Sequence, residues 1–344
     1  MRTDARNLPR TTAALLASTL CLGAVAVVGT GGIAEAAAKP TFKKANDGAK
    51  FTKYKWLTKD KRQVDFSIKS PALGGRTVKA RVLLPRKWSM KSKRTWPIVY
   101  LFHGGHDNYT SWARNTSIEQ VAARWDVIVV MPEASNGSYT NWFNYGKGGN
   151  PRWETFHTRE LPQLLERNLR ASRSRAAIGN SSGGQGAITY AARYPGAFKY
   201  AASLSGLLNL TAPGIPLMLS NVNSGNGQDP DAIWGRYPQD AENWKQHNPY
   251  DLAGALRGTK IFFSSGTSGK PGPGDPQVAP WDIGLLSEKL TGYSDGYFKA
   301  RLDKLKIPYI AHLYGDGRHN WPAWRREFGF VWPRIMTTLH ARKY

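Results

Sequence analysis

Six short apolar runs, at 96–102, 126–131, 176–179, 200–205, 260–265 and 308–314, constrain this chain more than any other feature. Each is followed by turn residues, and helical stretches lie between them at 117–124, 155–169, 186–193 and 285–290. Strands that alternate with helices build βαβ units, so the expected core is a mostly parallel central sheet with helices on both faces. Ahead of the runs, 63–70 and 77–85 alternate apolar and polar residues around Gly74-Gly75, the pattern of an antiparallel hairpin. Residues 209–251 are rich in Gly, Asn, Pro and Trp with weak periodicity, and are expected to form an irregular insertion.

A hairpin leading into such a sheet is the layout of an α/β-hydrolase, and one motif sits where that layout needs it. Gly179-Asn180-Ser181-Ser182-Gly183 fits G-x-S-x-G. The apolar Ala176-Ala177-Ile178 precedes it and the helix-like 184–192 follows. Strand, sharp turn and helix hold a serine Oγ clear of the sheet at a helix N-terminus. The N–H of Ser182 then points where an oxyanion forms. A serine needs a base, and in this fold the order is Ser, acid, His. Of the later histidines, His312 lies in an apolar run, His340 in the tail and His247 in the insertion. His319, in Gly315-Asp316-Gly317-Arg318-His319-Asn320-Trp321 just after the last run, is the expected base. Asp275, Asp282 and Glu288 all lie where the acid belongs, and spacing does not choose among them. The second oxyanion donor is expected from Leu101-Phe102-His103-Gly104-Gly105-His106, with Gly105 preferred. His103 and His106 have no third ligand at metal spacing, so no metal or cofactor is expected.

The ends and the charge set the context. Arg2, Arg6 and Arg10, an apolar stretch from Ala13 to Val28 and Ala36-Ala37-Ala38 form the pattern of a secretory signal peptide over 1–38, without a twin Arg. The lone Cys21 lies within it, so no disulfide framework is expected. Residues 39–62 are Lys-rich and aliphatic-poor, and are expected to be a solvated basic arm, with the catalytic domain at 63–344. Lys plus Arg number 48 against 24 Asp plus Glu. Such charge favours anionic surroundings. The basic residues are spread and no nucleic-acid motif occurs, so an anionic cell envelope is expected rather than nucleic acid.

The residues also carry a resemblance. Trp153-Glu154-Thr155-Phe156-His157-Thr158-Arg159-Glu160-Leu161-Pro162 is similar to the W-E-T-F-x-T-x-E-L-P of the antigen 85 mycolyltransferases, secreted actinobacterial α/β-hydrolases of the esterase D group. Tyr139-Thr140-Asn141-Trp142, 200–208, Ile233-Trp234-Gly235 and His319-Asn320-Trp321 match further pieces, so that the resemblance runs from about Val64 to Trp324. It implies a Ser-Glu-His triad with Glu288 as the acid and agrees on Gly105 as oxyanion donor. It makes Trp142 and Trp321 substrate-site residues, Trp321 beside the sugar. His103 and His106 stand where the family has an Asp and an Arg facing trehalose.

The implied function is a secreted serine acyltransferase or esterase. It is expected to be a monomer that moves an acyl group from a lipid or glycolipid ester to trehalose, another sugar or water, outside the cell or on its wall. The alternatives are a carboxylesterase without transferase activity and a non-catalytic envelope-binding protein on the same scaffold.

Overall fold

The computed structural model describes residues 41–145 and 149–344; the expected signal peptide 1–38, with Cys21, lies outside the described residues. Among the described residues, nine strands form one sheet: β1 (Lys50–Trp56), β2 (Gln63–Lys69), β3 (Thr77–Leu83), β4 (Trp96–Phe102), β5 (Ile128–Pro132), β6 (Ala171–Asn180), β7 (Tyr200–Leu204), β8 (Lys260–Ser265) and β9 (Ile310–Leu313). Their order is β1-β2-β3-β5-β4-β6-β7-β8-β9. The first three strands pair antiparallel, β3 pairs antiparallel with β5, and every pairing from β5 to β9 is parallel. All six apolar runs are strands, and the hairpin turns at Gly74 and Gly75, both at positive φ.

The central strands are buried on both faces, and alternation sorts their side chains between two cores. On β4, Ile98, Tyr100 and Phe102 join the core that holds Leu164, Ile188 and Phe298. Val99 and Leu101 point the other way, toward Trp112, Phe328 and Trp332. The helices Leu161–Leu169, Ser182–Arg193 and Ile283–Leu305 cover the first face. The second is covered largely by Trp321–Thr338, which buries Trp324, Phe328, Val331, Trp332 and Ile335 at helical spacing. This last helix is an addition to those that the periodicity picks out; Pro322 starts it without cost, because the first turn has no N–H partner to lose.

The basic segment 39–62 is not a solvated arm over its described part. Lys50–Trp56 is an edge strand of the sheet, and Phe42–Tyr344 form one compact unit. Phe51 stacks on Phe66 at 4.1 Å between ring centroids, Phe42 meets both rings edge-on, and Ala45 and Ala49 are buried. An edge strand buries few of its side chains, so aromatics and alanines suffice for it while the lysines stay in water. The insertion is also more ordered than expected. It contains the helix Ile215–Gly225 and a small core of its own around Leu210, Ile233, Trp234 and Trp244.

β4 and β6 are neighbours although β5 lies between them in sequence, which makes a switch point at their carboxyl ends. Open α/β sheets bind ligands there. The loop after β4 carries Gly104 and Gly105, and the turn after β6 carries Ser181.

Candidate active site

Ser181 sits between β6 and the helix Ser182–Arg193 with φ 53° and ψ −128°. A residue with a side chain enters that region only when its surroundings hold it there. Its N–H donates to Leu204 O at 2.8 Å, and its own carbonyl accepts from the N–H groups of Gly184 and Gln185. The turn is tight enough that a Cβ on Gly179 would lie 2.1 Å from Gly183 backbone atoms, and one on Gly183 would lie 2.4 Å from Phe102 O. The two outer glycines of G-x-S-x-G are therefore required by backbone contact.

His319 closes the gap between serine and acid. Its Nε2 is 2.8 Å from Ser181 Oγ and its Nδ1 is 2.8 Å from Glu288 Oε2. The carboxylate fixes the tautomer: Nδ1–H donates to Glu288, which leaves Nε2 free to accept the serine proton. Glu288 is fully buried on the helix Ile283–Leu305. Its other oxygen accepts from Ser205 Oγ–H, Gly266 N–H and Tyr314 O–H at 2.7–2.8 Å. Burial pushes its pKa up, but the bond and charge of His319, with the Gly266 and Tyr314 donors, outweigh this and hold it below the ordinary glutamate value. Ser205 Oγ in turn accepts from Trp324 Nε1–H at 3.0 Å, and the Trp324 ring stands perpendicular to the His319 ring at 5.1 Å. Ser205, Tyr314 and Trp324 are site residues that sequence reasoning did not single out, because each acts through a neighbour distant in the chain.

The rival acids turn out to hold the histidine's flanks. Asp275 accepts from Asn320 Nδ2–H at 2.7 Å, and Asp282 pairs with Arg318 Nε at 2.7 Å; neither touches His319.

Gly104, Gly105, Ser181 and Ser182 line one side of a cavity of about 550 Å³, within the usual range for small-molecule sites. Among the described residues, the N–H groups of Gly105 and Ser182 have no carbonyl or side-chain acceptor. Most of the apolar lining comes from the insertion, Leu210, Met218, Leu219, Val222 and Trp234, with Leu207 just ahead of it.

His106 is exposed and lines the cavity, its loop held by a bond from its N–H to Asn136 Oδ1. Three expected substrate residues are placed differently. His103 is 1% exposed; its Nδ1–H donates to Gly104 O in its own loop at 2.7 Å, and its Nε2 accepts from Ala134 N–H, just after β5, at 3.0 Å. It shapes the glycine loop and does not line the cavity. Trp142 packs behind the cavity wall, against the cluster that contains Trp234. Trp321 lies edge-on to Trp112 and Trp324 at 5.3 Å, and Trp324, three residues further on, is the one that lines the cavity. One helical turn separates the two tryptophans, a distance at which motif matching does not tell front from back.

A switch-point serine hydrogen-bonded through histidine to a buried carboxylate, in this sheet, defines an α/β-hydrolase of the serine esterase and acyltransferase class. The chain belongs to the esterase family, whose model matches residues 70–330. It is 30% identical over 256 residues to the diacylglycerol acyltransferase/mycolyltransferase Ag85C of Mycobacterium avium, covering 70% of each chain. It is 31% identical over 256 residues to the protein named Ag85B with the same activities in Mycolicibacterium smegmatis, covering 70% of this chain and 77% of that one. An esterase of Mycobacterium tuberculosis is 32% identical over 250 residues, of which the match covers 51%. The crystal structure of Mycobacterium tuberculosis MPT51 superposes with a TM-score of 0.66 at 23% identity, over 83% of this chain and 99% of that one, and shows the same fold.

Proposed function

We propose that the chain moves an acyl group from a lipid or glycolipid ester, through an acyl-Ser181 intermediate, to a sugar or glycolipid hydroxyl or to water. The observation that carries this reading is the line Ser181–His319–Glu288 opening onto a cavity with an apolar wall. His319 Nε2 takes the Ser181 proton as Oγ attacks the ester carbonyl. The N–H groups of Gly105 and Ser182 receive the oxyanion, each worth about 3 kcal/mol of barrier. The positive end of the Ser182–Arg193 helix acts in the same direction. The intermediate collapses, and the departing alkoxide takes the proton from His319. A second hydroxyl then gives its proton to His319 and attacks the acyl-enzyme, and Ser181 leaves reprotonated. Glu288 stabilises the imidazolium without taking its proton.

The relatives' names, diacylglycerol acyltransferase and mycolyltransferase, support a long-chain acyl donor. The N-terminal pattern supports export, and the charge of +24 supports residence in an anionic envelope. Hydrolysis has its own support: His103, where the resemblance expects a side chain facing the sugar, is buried and bonded to backbone at Gly104 and Ala134.

The test is a p-nitrophenyl ester chain-length series on the chain from Lys39, with and without trehalose, glucose or glycerol, beside Ser181→Ala. Turnover should rise with chain length, and Ser181→Ala should lose about 10⁶-fold in kcat. Sugar ester among the products identifies a transferase, and acid alone an esterase. Turnover that survives Ser181→Ala removes the reading altogether.

A further inference from the structure

The helix Ile283–Leu305 is apolar on the wrong side. Its inner face buries Leu285, Phe298 and Leu302. Its outer face carries Ile283, Leu286, Leu290, Tyr293 and Tyr297, a 3-4-3-4 spacing that forms a single stripe. Four of these five are exposed, Ile283 by 73%. Across the cavity mouth the helix Ile215–Gly225 has no charged residue and exposes Leu217 (68%) and Val222. Trp281, just ahead of the stripe, is 77% exposed. Among the described residues, seven large apolar side chains other than tyrosines are exposed, and five of them are in this region. Scattered surface apolars need no explanation, but a concentrated patch marks an interaction surface.

We propose that this patch is a docking face for a lipid surface, which seats the cavity mouth on the layer that holds its acyl ester. The inference rests on the acyl-ester reading for its substrate, and on exposure and spacing for its geometry. Ile283 and Val222 belong to the patch and also line the cavity. A second copy of the chain seated there would cover the mouth, whereas a lipid layer feeds it. The patch mixes aliphatic residues with one Trp and two Tyr, the aromatic types that settle at the headgroup level of a bilayer. Lys289 is exposed beside it, and the net charge of +24 favours an anionic layer. Buried aliphatic area then adds a contribution that salt does not screen.

The experiment is co-sedimentation of the chain from Lys39, which contains the whole compact unit, with phosphatidylglycerol/phosphatidylcholine vesicles at low and high salt. Wild type and Ser181→Ala should bind alike, with part of the affinity surviving high salt. Two double variants, Leu217→Ser with Trp281→Ser and Leu286→Ser with Tyr293→Ser, replace only exposed groups outside the cavity lining. The first should hydrolyse a soluble short-chain ester at the wild-type rate, and both should lose about tenfold or more in vesicle affinity. Vesicle binding equal to wild type in both variants overturns the proposal. So does a wild type that ignores vesicles, or one that forms a dimer which the variants dissolve. A Ser181→Ala that binds vesicles yet still turns over ester would remove the catalytic reading and leave the docking face standing.

Discussion

Glu288 and Asp295 lie seven residues apart on the inner face of one helix, and their surroundings push their protons in opposite directions. Asp295 is fully buried, accepts one bond from Ser265 Oγ–H at 2.9 Å, and has no partner for Oδ1 among the described residues. Burial and the charge of Glu288 raise its pKa well above the ordinary aspartate value, against the Ser265 hydroxyl and the Leu208 N–H. The helix thus carries one carboxylate whose surroundings favour its charge, beside His319, and one whose surroundings favour its proton, behind it. The signs follow. As pH rises past about 4, the unfolded chain loses the Asp295 proton and the folded one keeps it, so this group costs stability on the alkaline side. Asp295→Asn keeps an oxygen for Ser265 and stays neutral. It should therefore melt higher than wild type near neutral pH, with the gap closing below about pH 4, as thermal scans across pH would record. Glu288 is the reverse case: its lowered pKa gives stability that is present above the ordinary glutamate value and is lost as pH falls through the lowered one. Glu288→Gln should cut kcat on a soluble ester by about 10⁴-fold, measured at fixed pH, because the amide no longer stabilises the imidazolium.

At the scale of elements, the histidine loop is built onto the helix that carries its acid. His319 N–H donates to Gly284 O at 3.0 Å. Asp282 caps that helix through the N–H groups of Gly284 and Leu285 and grips Arg318 with both oxygens. His319 and Glu288 are therefore positioned by the same helical turn. Asp282→Ala removes cap and grip together. It should lower Tm and reduce kcat by up to about a hundredfold, with the KM for a short soluble ester nearly unchanged, since the base is misplaced and the cavity is not. Asp282→Asn, which restores the cap and not the ion pair, should fall between the two in both melting and kinetic measurements. Spacing brought Asp275, Asp282 and Glu288 forward as equals because all three follow β8, and it was the family resemblance that favoured Glu288. The fold sets two of them at the flanks of His319 and one against its ring.

For the whole molecule, the sheet edge is where the sequence pattern and the fold part. Residues 42–56 supply Phe42, Ala45, Ala49 and Phe51 to the first core and cover the open edge of β2. A chain that starts at Gln63 should be insoluble or melt far below the chain from Lys39, since it bares that edge and the Phe66 ring; expression and thermal melting of the two decide it. The central strands were legible because burial on both faces demands continuous apolar runs, and the elbow because strand, turn and helix adjoin in sequence and Gly179 abuts the Gly183 backbone four residues on. Local sequence thus determined the sheet, the switch-point serine and the histidine loop. The tertiary structure alone decided that His103, Trp142 and Trp321 stand behind the cavity, that Trp324 lines it, and that a lysine-rich stretch is a strand. Each of these depends on contacts between residues far apart in the chain, where a shift of one helical turn or one neighbouring strand changes the partner and leaves the local pattern as it was.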